Sequence, residues 1–293
     1  MHNYLRAVGF SNLMNRTDFD HMINQILESS LDKQIIALEQ DVSFAEINWE
    51  AAPNMGICMR GEFDQKGKFY LEHYFPYYKG SVISTNDDVM INKRVDTDAY
   101  TGMCDDYRLG VSLIFYLQNA IEYMKECDKN KTKMFNCPIK LAALSVEGKV
   151  ILPIDHSEIT IRHKTLDAKH RNKLIAEAKK GNQEAIDSLT IDDIDLYAMV
   201  SRRVKYEDIY SIVETSFVPY GSESDSYTII GEIAHSKLVT NHVTNEEVYE
   251  LSIACNDLEF DLCINKSDLM GEPAIGRRFK GNIWLQGRIE FSS

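Results

Sequence analysis

The chain has 293 residues, a formal net charge of −13, 44% apolar residues and 26% charged residues. This length exceeds that of a typical single domain, and the composition excludes disordered and fibrous classes. The acidic balance argues against nucleic acid as a partner, because such binding requires clustered Lys and Arg. No apolar run approaches the ~20 residues that cross a bilayer, so we expect no membrane partner.

The N-terminal ten residues lack the apolar segment of a secretory signal, which predicts a cytoplasmic protein. The six cysteines are scattered without a CxxC pair, a pattern that favours reduced core thiols over a zinc or redox site. Dinucleotide, P-loop, esterase, zincin and calcium-loop motifs are missing from the sequence, so we expect no cofactor and no bound metal.

The N-terminal part begins with an amphipathic pattern that predicts a helix over residues 17–31, with Thr17 as its N-cap. Residues 42–75 then predict a β meander whose last hairpin turns at residues 64–67. A further short strand is expected at residues 89–91.

Two apolar stretches follow in the N-terminal part. Residues 107–127 contain no proline and cover more than one helical face, so we predict a central buried helix. Residues 139–146 and 149–154 predict a hairpin that turns at Glu147-Gly148. Residues 166–205 then alternate between helical patterns and helix-end signals such as Gly181, which predicts a helical connector.

The C-terminal part has five β patterns and no long helix, which favours a small closed or half-closed barrel. The predicted fold class is therefore α+β, in three parts. These are an N-terminal mixed antiparallel sheet with helices (1–162), a helical connector (163–205) and a C-terminal small five-stranded β-barrel (206–293). The strands are expected at residues 207–218, 227–235, 246–255, 258–265 and 277–291.

Two of these strand patterns predict which side chains lie on the same face of the sheet. A two-residue turn at Asn256-Asp257 aligns the apolar residues of the hairpin 248–263 on one face, and it separates Cys255 from Cys263. In residues 277–291, Phe279, Ile283 and Leu285 alternate with polar residues. The glycines of this strand fall on the apolar face, which favours close backbone approach over a phosphate site.

The polar face of residues 277–291 is the most functional-looking surface, because a tryptophan stands among basic side chains. Aromatic and cationic groups together suit carboxylate-bearing partners or bases. We therefore predict a ligand or partner surface, and the alternative is that the same chain or a second copy covers it. Its residues are Trp284, Lys280, Arg288 and Arg278.

A second candidate site lies in FYLEHYFPYY, residues 69–78, where aromatics surround a histidine. This stretch predicts a pocket formed by His73, Tyr74 and Tyr77, or else an aromatic core strand. Strand alternation separates Glu72 from His73, which weakens a His–Glu dyad. Weaker metal candidates are an acidic loop at residues 96–106 and the set Asp155, His156, Glu158, His163 and His170.

Three segments carry a resemblance over essentially the whole chain. They are GNQEAIDSLTIDDIDLYAMVSRR, EDIYSIVETSFVPYG and CNDLEFDLCINKSDLMGEPAIGRRFKGNIWLQG. They resemble an uncharacterised family of clostridial cytoplasmic proteins of about this length, a domain of unknown function. The resemblance implies no activity and no catalytic residues.

Three functions follow as hypotheses. The first is a non-catalytic binding or regulatory protein that contacts a protein partner or a small molecule, with a homo-oligomer left open. The second is a hydrolase-like or metal-assisted enzyme with a site near His73 or His156. The third, disfavoured by the charge, places single-stranded nucleic acid on the Trp284 face.

Overall fold

A computed structural model of the chain describes most of its residues. These are 2–12, 16–29, 32–39, 42–94, 99–106, 111–130, 134–154, 173–174, 177–178, 181–191, 202, 205–206 and 208–291. None of the described helices is long and apolar enough to cross a membrane.

The described residues are mostly β-structure, with few helices. Among them are α1 (Arg16–Ser29), α2 (Ala120–Asn130) and α3 (Ile209–Ile212), with 3-10 turns at Asn3–Val8 and Lys266–Asp268, and residues 183–191 are also helical. The first strands are β1 (Asp32–Glu39), β2 (Val42–Ala52), β3 (Met55–Phe63), β4 (Phe69–Tyr78), β5 (Asp88–Lys93), β6 (Tyr100–Asp106), β7 (Val111–Leu117) and β8 (Met134–Asn136). The others are β9 (Ile139–Ile151), β10 (Ser216–Pro219), β11 (Ser226–Thr240), β12 (Glu247–Cys255), β13 (Leu258–Asn265), β14 (Leu269–Met270) and β15 (Arg278–Ile289).

Five strands close into a barrel in the order β11, β12, β13, β9 and β15, with β15 pairing back to β11. The barrel interior is filled by the apolar rows of these strands, because alternate residues of each strand point inward. Its core includes Leu141, Ala143, Tyr227, Ile229, Leu251, Ile253, Phe260, Leu262, Phe279, Ile283 and Leu285.

Strand β15 connects the barrel to the rest of the large sheet. Its whole length pairs with β9, while on its other edge residues 278–284 pair with β11 and residues 286–287 pair with β7. Beyond β7 the sheet continues through β6, β5 and β8, and Tyr123 and Met124 of α2 pack against the core on its inner side.

The second layer is the antiparallel sheet β1-β2-β3-β4, which covers the outer face of the barrel near β9, β13 and β15. A second core forms between the two layers and includes Phe19 and Ile23 of α1. Large-sheet residues that face this core are Tyr116, Ala142, Leu144, Val248, Cys263 and Trp284. Both faces of the central strands of the large sheet are therefore buried.

Several predicted elements are confirmed. Helix α1 and the meander β2–β4 occupy the predicted segments, and the hairpin of β12 and β13 has the predicted register, with Ile253 opposite Phe260. Asn256 and Asp257 both have positive φ, 50° and 62°, as a two-residue hairpin turn requires. The barrel is also present, although one of its strands, β9, comes from the segment assigned to the N-terminal domain. The boundaries at residues 162 and 205 stay predictions.

The predicted buried helix over residues 107–127 is wrong. Within the described part of this segment, Val111–Leu117 form β7 and the helix is limited to Ala120–Asn130. Leu113, Phe115 and Leu117 enter the barrel-side core while Tyr116 enters the other core. A strand buried on both faces shows a continuous apolar run, which periodicity does not distinguish from a buried helix.

The hairpin predicted at Glu147-Gly148 is also wrong, because β9 runs unbroken through both residues. A Cβ on Gly148 would lie 2.4 Å from the Phe279 ring, so the glycine permits close packing rather than a turn. The register with β15 slips by one residue at Val146, a β-bulge.

The segment predicted as a strand over residues 207–218 contains α3 and then the short strand β10. The Asp208 side chain accepts a hydrogen bond from the Tyr210 amide at 2.8 Å, which starts the helix. Most of the predicted connector lies outside the described residues, including most of the helix expected at residues 166–180. The described residues 173–174, 177–178 and 183–191 are helical.

Candidate functional site

Trp284, the centre of the predicted surface, is only 6% exposed. Its indole Nε1 donates to Asp225 at 3.0 Å, and the rings of His2 and Tyr4 lie 4.9 and 5.4 Å from it, centroid to centroid. Asp225 also pairs with Arg94. Other parts of the same chain therefore cover Trp284, which was the alternative for this face.

Arg278 is also buried, at 5% exposure. Its guanidinium donates to the backbone carbonyls of Tyr210, Val213 and Leu152. Burial lowers the pKa of Arg278. These bonds hold α3 and the end of β9 against β15, so the contacts of Arg278 are those of a structural residue.

Arg288 is half-buried beside α2, where it forms an ion pair with Glu122 at 2.5 Å. Glu122 also accepts a hydrogen bond from Asn119 at 2.8 Å. Burial opposes ionisation of Glu122, but these two partners outweigh it and lower the pKa of its carboxyl. Arg288 therefore fastens α2 to β15.

Lys280 is the one predicted surface residue that lines a described groove. The groove has a volume of about 710 Å³ and lies on the outer face of the barrel. Its lining comes from β9, β11, β15 and the β14 segment: Glu147, Gly148, Lys149, Thr228, Ser267, Asp268, Leu269, Met270, Lys280, Gly281 and Asn282. This volume lies within the range of about 300–1,000 Å³ that is typical of small-molecule sites.

Two lysines stand side by side in this groove. Lys149 and Lys280 are direct partners in the antiparallel register of β9 and β15, so their side chains project from the same face. The Lys280 ammonium contacts the Tyr210 hydroxyl and lies 4.4 Å from the centre of that ring. Among the described residues, no hydrogen-bond or ion-pair partner is found for Lys149.

The next row of the groove is polar. Thr228 donates to Asn282 Oδ1 at 2.7 Å, and Asn282 Nδ2 donates to Glu147 at 2.7 Å. On the wall, Arg6 pairs with Asp268 and neutralises it. Two ammonium groups therefore face the single remaining carboxylate of Glu147, and the groove is locally cationic in an acidic protein.

The predicted pocket of His73, Tyr74 and Tyr77 is not assembled as one site. His73 points toward the large sheet, where its Nε2 lies 3.0 Å from the Tyr116 hydroxyl. Tyr74 instead packs on Phe19 of α1, with ring centroids 4.5 Å apart. Tyr77 is buried in the core between the layers. The default alternative, an aromatic core strand, describes these residues.

A charged residue that the sequence did not single out, Arg60, lies between the two layers and is fully buried. It donates to Glu46 at 2.9 Å, to the Tyr116 hydroxyl at 3.1 Å and to the carbonyls of Leu117 and Gln118 at 3.1 and 2.9 Å. Its guanidinium carbon lies 4.7 Å from the Phe75 ring centre. The sequence feature that could have identified this buried arginine is its position as the one basic residue in the largely apolar stretch GICMRGEF.

Burial shifts the ionisation of this cluster. Burial opposes the charge of Arg60, but Tyr116 and Glu46 outweigh it and raise the pKa of Arg60. Burial also raises the pKa of Glu46, and Arg60 limits that rise. Burial raises the pKa of the Tyr116 hydroxyl as well, so this group stays a neutral hydrogen-bonding partner.

The metal candidates find no support in the part of the chain that the structure describes, which holds no group of three His, Cys, Asp or Glu residues placed to bind an ion. Asp155, His156, Glu158, His163 and His170 lie outside the described residues, as do Asp96 and Asp98. Asp105 accepts a hydrogen bond from Ser112 at 2.6 Å.

A family model described as "Domain of unknown function, E. rectale Gene description (DUF3881)" matches residues 5–287. No curated protein and no solved structure is significantly similar to the chain. The match covers nearly the whole sequence, including the four-stranded sheet and all of the barrel except the last two residues of β15.

Proposed function

Because the chain belongs to the DUF3881 family, whose description assigns no activity, we propose from the geometry alone that it is a cytoplasmic, non-catalytic binding protein. Its ligand is a small organic anion that occupies the groove between β9, β15 and β14. The lysine pair carries this proposal.

The pairing of Lys149 with Lys280 supports the proposal because folding does not require it. Like charges directly opposite each other destabilise a sheet, so the pair opposes the fold in which it stands. An anion between the two ammonium groups would remove this repulsion and would form charge-assisted hydrogen bonds. The unfavourable pair is therefore best explained by a ligand.

The rest of the lining defines the class of ligand. Asn282 and Thr228 offer polar contacts next to the lysines, while Leu269 and the 65% exposed Met270 supply apolar surface at the β14 side. A groove with few polar groups at one end and apolar surface at the other suits a carboxylate or phosphate attached to an apolar body.

The test uses 8-anilinonaphthalene-1-sulfonate, a fluorescent probe with one anionic group and an aromatic body. We expect saturable binding to the protein at low salt. The double substitution Lys149→Gln and Lys280→Gln should weaken that binding by about tenfold or more, because two charge-assisted contacts are lost. Fluorescence titration measures the change.

The matched control is Lys129→Gln, which removes an exposed lysine of α2 outside the groove. It should leave the affinity for the probe unchanged, and both variants should keep the far-ultraviolet circular dichroism of the parent protein. Equal affinities of the parent and the Lys149/Lys280 double variant would overturn the proposal.

A further inference from the structure

Three methionines form a row across neighbouring strands far from the barrel groove. Met90 of β5 is the register partner of Met103 of β6 on one side and of Met134 of β8 on the other. Direct partners in antiparallel strands project from the same face, with Cβ atoms about 4.5–5.5 Å apart. The three thioethers are therefore neighbours.

This row lies on the outer face of the sheet. The flanking residues Val89, Ile91 and Phe135 are buried in the core, whereas Met90 and Met134 are 37% and 51% exposed. Most of the other side chains on this face are polar, among them Asp88, Asn92, Thr101, Asp105, Ser112 and Asn136, while Ile114 of β7 lies opposite Met103 and is partly buried. Burial of apolar surface therefore does not account for the exposed Met90 and Met134.

The methionines line a groove of about 370 Å³ together with Asp87, Asp88, Asp105 and Cys104. Each carboxylate in it is held by a neighbour: Asp87 by Thr85 at 2.8 Å, Asp88 by Asn136 at 2.8 Å and Asp105 by Ser112 at 2.6 Å. The groove is therefore lined by three thioethers, and the three carboxylates around them are held in place by hydrogen bonds.

We propose that the Met90–Met103–Met134 row binds a soft monovalent cation of the Cu(I) class. Thioether sulfur is a soft ligand that selects Cu(I) over hard cations such as Mg²⁺ or Ca²⁺. Three neutral sulfurs leave the positive charge of the ion uncompensated, and the three carboxylates offset it through space. The proposal is independent of the barrel groove and shares no residue with it.

Silver ion, Ag(I), is the probe, because it has the same charge and softness as Cu(I) and needs no reductant. The protein is labelled with ¹³C at its methionine methyl groups, which gives at most eleven signals. A background with Cys127→Ala and Cys137→Ala removes the two partly exposed thiols, which also bind Ag(I). Titration in chloride-free buffer is followed by NMR.

We expect the methyl signals of Met90, Met103 and Met134 to shift together and to saturate at one equivalent of Ag(I). Met90→Leu should abolish the shifts of Met103 and Met134 and weaken binding by more than about tenfold, because the central ligand is lost. Met270→Leu, which removes an exposed methionine of the β14 segment, should change neither result.

Two results would overturn the proposal. One is no movement of the three signals at one equivalent of Ag(I). The other is persistence of the Met103 and Met134 shifts in Met90→Leu, since independent responses exclude a shared ion. If Met90→Leu does not fold, Met134→Leu, at the most exposed position of the row, replaces it, and the Met90 and Met103 signals are read.

Discussion

Two cationic regions of this protein differ in what surrounds the charge. Arg60 lies between the two sheets and has a partner for its guanidinium on every side, including Glu46 and Tyr116. Lys149 and Lys280 lie in an open groove and face each other. Both regions place cations on strands, yet of these three only Arg60 has an ion-pair partner among the described residues, Glu46.

This difference separates charged side chains that stabilise the fold from charged side chains that are available to bind a ligand. A buried charge survives only when it is paired and hydrogen-bonded, so a completed set of contacts identifies Arg60 as part of the fold. A like-charge pair at the surface is tolerated because water screens it, and it offers a ready site for an anion. The burial of a charged side chain is therefore not by itself evidence that the residue is functional.

Substitution of Arg60 should give the largest effect. Arg60→Met leaves the Glu46 carboxyl buried without its cation, and we expect a loss of about 3–5 kcal/mol in the free energy of unfolding, measured with urea. Arg277→Met, at a partly exposed position without an ion-pair partner among the described residues, should cost less than about 1 kcal/mol.

The double variant Arg60→Met with Glu46→Met sharpens this result. If the cost of Arg60→Met comes from the unpaired carboxyl, removal of both charges should recover a large part of the lost stability. A double variant as unstable as the single one would show that packing, rather than the ion pair, dominates at this position.

A second test introduces an unpaired charge between the layers by protonating the His2 side chain. Burial, the nearby His73 and the terminal amine lower the pKa of His2, beside Trp284, to about 4. The unfolded chain protonates His2 near pH 6.5 and the folded chain does not. Its contribution is therefore fully present above about pH 6.5 and is lost as the pH falls toward 4, by roughly 2–3 kcal/mol.

Urea unfolding of the parent protein and of His2→Phe between pH 4 and pH 7 measures this contribution. The variant cannot take up this proton, so the difference in stability between the two proteins should change across that window. Parallel pH profiles would mean that His2 titrates alike in the folded and unfolded chains, and that the layer around Trp284 accepts a charge.

The smallest effect is expected in the groove. Lys149→Gln removes one member of the like-charge pair, so the free energy of unfolding should rise by up to about 0.5 kcal/mol at low salt. The control Lys129→Gln, which breaks an exposed pair with Glu126, should lower it slightly. A clear loss of stability in Lys149→Gln would contradict the view that the fold does not need the lysine pair.

Much of the fold could be predicted because the relevant signals are local. The Asn256-Asp257 turn and the alternation of Phe279, Ile283 and Leu285 depend on neighbouring residues and survive any tertiary arrangement. The prediction failed for β7 and β9, where the chain is buried on both faces and where Gly148 serves packing rather than a turn. Burial on both faces and close packing at a glycine depend on the residues of other strands and of the other sheet that contact the strand.

Less of the candidate site could be predicted. Lys280 was identified, but its partner Lys149 was assigned to a strand directly after an expected turn, and nothing local links the two lysines. Trp284 and Arg278 were assigned to a surface because alternation gives the face of a strand but not what covers that face. The methionine row likewise joins three strands that only the sheet order makes neighbours.

The sequence by itself determined that residues 277–291 form a strand with one apolar face, and that a small barrel closes near it. Only the tertiary structure decided that β9 completes this barrel and that the four-stranded sheet covers the Trp284 side. The physical reason is that alternation is set by backbone geometry, residue by residue, whereas burial depends on distant segments. For β15, both faces are largely buried, although Lys280 and Asn282 line the groove and Arg288 is only half-buried.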